Sequence, residues 1–209
     1  MSDSVKKVLS GGTGEIVEKK SRFIATVFNV SSEEEAVSYI EATKKKYWDA
    51  RHNCYAYVIG ERGEKQKCSD DGEPQGTAGR PMLDVLLGSG ITNILVIVTR
   101  YFGGVLLGTG GLVRAYSQAT KAGIDSSRIA TQYPAKEMHV YTDYTSSGKI
   151  RYIAEQLDVV IDDTLYTDNV EMIFLVTPDK IKAFTDKIME ATSAAAKIEE
   201  VKDTYLYVE

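Results

Sequence analysis

The stretch Glu137-Met138-His139-Val140-Tyr141-Thr142-Asp143-Tyr144 sets Met138 and Val140 against His139, Tyr141 and Asp143, the period of a half-buried strand. After it, Ile150, Ile153, Ala154 and Leu157 recur at i, i+3, i+4 and i+7, one face of a helix. Val159-Val160-Ile161 begins a second strand, Thr167-Asp168-Asn169 supplies turn chemistry, and Val170–Val176 makes a third strand. Thr177-Pro178-Asp179 has the form of an N-cap, a first-turn proline and a first-turn acid, and Ile181, Phe184 and Ile188 continue that helix. Thr204-Tyr205-Leu206-Tyr207-Val208 closes as a strand. The order β-α-β-β-α-β over residues 135–209 is that of the ferredoxin-like split βαβ unit.

The residues before it are built differently. Arg22–Val30 reads as a strand, and Ser31-Ser32-Glu33-Glu34 as a capping box opening a helix through Ala36, Val37, Ile40 and Tyr47. Asn53–Ile59 is a strand, and Pro81 starts a short helix ended by Gly88. Ile94–Thr99 is a continuous apolar strand placed centrally, and Leu112, Ala115, Tyr116 and Ala119 mark one face of a last helix. The expected class is therefore α+β in two domains, 1–134 and 135–209, joined near Tyr133-Pro134-Ala135. Charge and glycine change at the same point. Residues 1–134 hold 17 Lys+Arg against 15 Asp+Glu and 16 of the 17 glycines, whereas residues 135–209 hold 8 against 15 and only Gly148.

At 209 residues, 43% hydrophobic and 26% charged, the chain has the composition of a folded protein with a real core. Its longest aliphatic run, Ile94–Val98, is far shorter than the roughly 20 residues of a membrane span. Met1-Ser2-Asp3-Ser4 has no cationic-then-apolar leader, so the expected location is the cytoplasm, with no membrane partner. Cys54 and Cys68 are too few for a disulfide framework or a four-thiolate zinc site. The net charge of −5 speaks against a general nucleic-acid coat protein.

Chemistry concentrates in two glycine-rich clusters, Ser69–Pro81 and Thr99–Arg114, each running into a helix. Glycines let backbone N–H groups converge on an anion, and a helix N-terminus adds its dipole. Gly103, Gly104, Gly108, Gly110 and Gly111 with Arg80, Arg100 and Arg114 are thus candidate phosphate contacts, and Lys20 and Arg22 extend the basic surface. No Lys follows Gly108 as a Walker loop requires, and Val113 stands where the dinucleotide fingerprint needs a small residue. Asp70, Asp71 and Glu73 are candidates for a metal or for acid–base work, or else belong to a turn. His52 and Cys54 share one strand face, where a packed, reduced cysteine is the favoured reading. Trp48, beside Lys44-Lys45-Lys46 and Arg51, is either a core aromatic or a stacking platform for RNA. His139 reads as a surface residue.

Four segments together resemble the bacterial members of the IMPACT family: Lys20-Ser21-Arg22-Phe23, the strand His52–Tyr57, Ser69–Pro74 with Gly76–Gly79, and Arg100–Gly104 with Leu107–Tyr116. The resemblance covers about residues 15–125. It implies an N-terminal domain like the second domain of ribosomal protein S5. The acidic remainder resembles the ferredoxin-like domain of the same proteins, which is similar to the last domain of elongation factor G. It also implies a link to translation, since eukaryotic relatives restrain a starvation-activated kinase by competing for its ribosome-associated activator. The expected role is a non-enzymatic regulator that binds RNA, the ribosome or a translation factor, without a resident cofactor or metal. The alternative is an enzyme or binding protein for nucleotides or phosphorylated metabolites, with an Asp/Glu-held metal.

Overall fold

The computed structural model describes residues 4–209; Met1–Asp3, read above for a leader, lie outside the described residues. Two compact units divide the chain, Val5–Thr131 and Gln132–Val208.

The first unit contains β1 (Val5–Ser10), β2 (Thr13–Glu18), β3 (Ser21–Asn29), α1 (Glu33–Lys46), β4 (His52–Ile59), β5 (Lys65–Ser69), α2 (Gly79–Ser89), β6 (Ile91–Thr92), β7 (Ile94–Tyr101) and α3 (Thr109–Asp125). Its main sheet is antiparallel in the order β2-β3-β7-β4-β5. β7 stands in the centre, and its apolar run lacks alternation because both faces are covered. Ile94, Val96 and Val98 pack with Met82 and Leu86 of α2 and Ala115, Tyr116 and Ala119 of α3. Leu95 and Ile97 pack on the other face with Ala36 and Ile40 of α1. β1 and β6 pair in parallel, Lys6 opposite Ile91.

Helix boundaries shift from the sequence reading, and α2 starts at Gly79, before Pro81. The α1 cap is Ser32, whose hydroxyl accepts from the Glu35 N–H, and the Glu35 carboxylate accepts from the Ser31 N–H at 2.8 Å, so the box lies one residue later. α2 runs through Gly88 and stops at Gly90, whose left-handed φ of 69° turns the chain out of the helix.

The second unit is formed by β8 (Arg128–Thr142), α4 (Tyr144–Gln156), β9 (Val160–Tyr166), β10 (Val170–Val176), α5 (Ile181–Ala191) and β11 (Lys197–Val208). The strand order β11-β8-β10-β9, with β10 antiparallel to both neighbours, is the ferredoxin-like arrangement. Met138, Val140, Met172 and Phe174 of the sheet close one core with Ile150, Ile153, Phe184 and Ile188 of the helices. β8 starts earlier than its alternation suggested, so Tyr133-Pro134-Ala135 lies inside a strand. α5 starts later than expected. Thr177 accepts from the Lys180 N–H through its carbonyl, so Pro178 and Asp179 belong to a turn before the helix.

Candidate nucleic-acid interface

Strand register gathers the sequence candidates at one end of the main sheet of the first unit. His52 pairs with Arg100, Arg22 with Tyr101, Glu18 with Ser21 and Tyr55 with Ser69. The ends of all five strands therefore lie together. From this end leave both glycine-rich loops, the β2–β3 turn and the segment after α1.

The first glycine-rich loop already holds an anion, and the anion is its own Asp70. The Asp70 carboxylate accepts from the N–H groups of Gly76 (2.8 Å), Ala78 (3.0 Å) and Gly79 (2.8 Å), the start of α2. Burial by itself would raise this carboxyl, but the three N–H donors outweigh it and hold Asp70 below the usual carboxylate range. Asp71 accepts from the Asn53 N–H at 2.7 Å and from Lys44 Nζ at 2.5 Å. These contacts consume the groups expected to bind an external phosphate or a metal. Among the described residues, no group of three or more His, Cys, Asp or Glu is arranged to hold a metal ion.

Glu73 and Arg100 lie inside the domain, their side chains 3% and 7% exposed. Arg100 Nη1 donates to Glu73 Oε1 at 2.7 Å, and the Tyr116 hydroxyl donates to the same oxygen at 2.8 Å. The guanidinium also lies 5.4 Å from the Phe23 ring and 5.6 Å from the Phe102 ring, a cation–π setting. The expectation that Arg100 contacts phosphate is corrected here: it points to the α2/α3 face of the sheet, like Val96 and Val98, and neutralises Glu73. Cys54 lies beside this pair, with Sγ 2.9 Å from the Asp70 carbonyl and 3.4 Å from the Tyr116 hydroxyl. Burial pushes its thiol up to about 12, so it is a packed thiol and not a nucleophile.

The second loop is open. Gly103 lies so close to the β2–β3 turn that a Cβ there would stand 2.0 Å from the Lys20 carbonyl carbon, and its N–H donates to Ser21 Oγ at 3.2 Å. Gly104 and Gly108 have φ of 84° and 73°, and Gly108 heads α3 with no side-chain cap and no acid in the first turn. Gly110 is exposed and Gly111 half-buried. Gly111 and Arg114 line a small cleft of about 60 Å³ with Glu18, Ala115 and Gln118. Lys20, Lys45, Lys46, Arg51 and Arg114 are exposed and have no carboxylate partner within ion-pair distance among the described residues. Arg22 is paired with Glu15 at 2.8 Å, which holds the Glu15 carboxyl below its usual range, and Arg80 with Asp84 at 2.8 Å. Both pairs are exposed, and such pairs are worth only about 0–1 kcal/mol, so an incoming anion can displace them. Phe102, Val105 and Leu106 stand exposed on the loop, and Trp48 is 83% exposed beside the lysines of α1.

The comparisons agree with this architecture. Residues 19–124 match the model of the Impact N-terminal domain, and residues 141–195 match a domain of unknown function, DUF1949. The IMPACT family member YvyE of Bacillus subtilis is 41% identical over 206 residues, covering 99% of this chain and 95% of that protein. The chain belongs to the IMPACT family. The IMPACT family member YigZ of Escherichia coli is 35% identical over 86% of this chain and 89% of its own length. A solved structure described as a hypothetical protein superposes with a TM-score of 0.60 at 32% identity, over 97% of this chain and 98% of that one.

Within this IMPACT chain, sequence reading missed two partners of the buried cluster. Tyr116 sits on the apolar face of α3, so its ring was legible as core but its hydroxyl contact with Glu73 was not. Ser21 stood in the segment Lys20–Phe23, but nothing in that segment showed that its hydroxyl anchors the second loop. Arg100 has the same strand parity as Val96 and Val98, but with both faces of β7 covered that parity alone did not mark it as buried. In the second unit, His139 is half-buried between Glu171 at 2.7 Å and Glu137 at 3.2 Å, and so is not the open surface residue its strand position suggested.

Proposed function

We propose that this chain is a non-enzymatic regulator in translation that binds RNA of the ribosome through the loop end of its first unit. One observation carries the reading: the unpaired cations Lys20, Lys45, Lys46, Arg51 and Arg114 and the exposed Trp48, Phe102 and Leu106 share one end of one sheet. Gly104, Gly108 and Gly110 keep the backbone there bare enough for close approach, whereas Gly103 and Gly111 are packed against Lys20 and Leu107, and Arg22 and Arg80 exchange their exposed carboxylates for phosphate. Membership of the IMPACT family supports the link to translation. Asp70, Asp71 and Glu73 are occupied within the protein, which disfavours metal-dependent catalysis at these loops. The acidic second unit stays off the polyanion.

The test is co-sedimentation of the protein with ribosomes across a salt series, beside a Lys20→Ala/Arg114→Ala variant. The expected result is pelleting at low salt that fades steeply as salt rises and is weakened in the variant. Absence of pelleting at low salt, or pelleting that ignores both salt and the variant, overturns the reading.

A further inference from the structure

We infer that Trp48 is a stacking platform for an unpaired base, so that the surface takes single-stranded RNA in preference to a duplex. This rests on the RNA reading above and names the class of RNA. Trp48 is the single tryptophan of the chain and lies outside every core, 83% exposed. Lys44, Lys45 and Lys46 complement the carbonyl end of α1, and Lys44 is tied to Asp71 at 2.5 Å.

The turn that presents Trp48 is fixed. The Tyr47 N–H donates to the Thr43 carbonyl at 2.9 Å, the Ala50 N–H to the Tyr47 carbonyl at 3.0 Å, and the Tyr101 hydroxyl to Asp49 at 2.8 Å. Around it, aromatic rings and cations interleave. Lys46 Nζ lies 5.1 Å from the Tyr47 ring centre, and the Arg22 guanidinium 5.9 Å from that of Tyr101. Lys45 and Arg51 are exposed close by in sequence. An exposed indole on a hydrogen-bonded turn amid cations offers a base a flat apolar face and its phosphates a counter-charge, the combination that binds single strands without sequence choice. A duplex keeps its base faces stacked and gains only the cations.

Because Trp48 is the single tryptophan, its emission reports on the site directly. The full-length protein is titrated with a single-stranded oligouridylate and with a blunt RNA duplex of equal length. Binding is read in parallel from the anisotropy of labelled RNA for wild type, W48A and W48F. The single strand is expected to quench Trp48. W48A is expected to bind it about ten-fold or more weakly, with W48F close to wild type. Duplex affinity is expected to be the same in wild type and W48A. If labelled single strand binds W48A as tightly as wild type, or binds wild type without changing its emission, the inference fails while the RNA reading stands. If neither RNA form binds wild type, both fail, and loss of ribosome pelleting in W48A then points to a protein partner.

Discussion

Glu73 is buried against Arg100, and its removal has a large expected consequence. A buried ion pair is weak evidence of net stabilisation, yet deleting one partner strands the other charge in low dielectric. Glu73→Ala is therefore expected to cost about 3–5 kcal/mol, read as a fall in the urea midpoint at unchanged slope. Arg100 lies in the interior with Glu73, so its substitution tests folding and not binding. Asp70 adds a pH dependence. Its carboxyl titrates below the usual value when folded, so the stabilisation it supplies is complete above the unfolded range near about 4 and disappears as pH falls through the lower folded value. Asp70→Asn is expected to be about 1–3 kcal/mol less stable at pH 7 and to lose less than wild type between about pH 5 and 2, as denaturant melts at each pH would record. Of these residues, the sequence made the acids and glycines visible as candidates. It did not reveal that Asp70 is the ligand of its own glycine loop, because that depends on where the chain turns back.

At the scale of elements, legibility followed periodicity. In the second unit β8, β10, α4 and α5 carry apolar stripes facing a single core, while β9 and β11 add only Ile161 and Ile198 at its margin and were legible from their β-branched and aromatic residues. In the first unit, β7 stood out because both its faces are covered, whereas β5, Lys65-Gln66-Lys67-Cys68-Ser69, has no apolar alternation and is a strand by virtue of its register with β4. Helix ends were placed less well, since α5 begins where tertiary packing permits and not at the Thr177-Pro178 signal. Gly148 offers a clean check on propensity. It sits inside α4, where an added Cβ would meet nothing within 4 Å. Gly148→Ala is expected to raise stability by about 1 kcal/mol in thermal or urea melts, because the backbone loses less entropy on folding and nothing is displaced.

For the whole molecule, the charge division along the chain matters more than its total. The net −5 conceals a slightly basic first part and a strongly acidic second part. The dependence of single-stranded RNA affinity on salt separates them. Each cation of the first unit that contacts phosphate is expected to contribute about 0.7 to the slope of log K against log salt. Lys45→Ala/Lys46→Ala should flatten that slope accordingly. Lys149→Ala/Lys182→Ala should leave it unchanged, since those lysines belong to the strongly acidic second unit.

The sequence by itself determined the ferredoxin-like order of the second unit, the central place of Ile94–Thr99 and the family, because local periodicity and two contiguous motifs carry that information. Only the tertiary structure decided which charges are free. Arg100 and Arg114 stand equally near the glycines in sequence, yet strand alternation drives one into the core beside Glu73, and the helix turns the other outward. Trp48 reads from the sequence as core or surface; the turn after α1 that exposes it is held by local bonds among Thr43, Tyr47 and Ala50 and by the Tyr101 hydroxyl on Asp49, and only the last is a partner that the folded chain brings from afar.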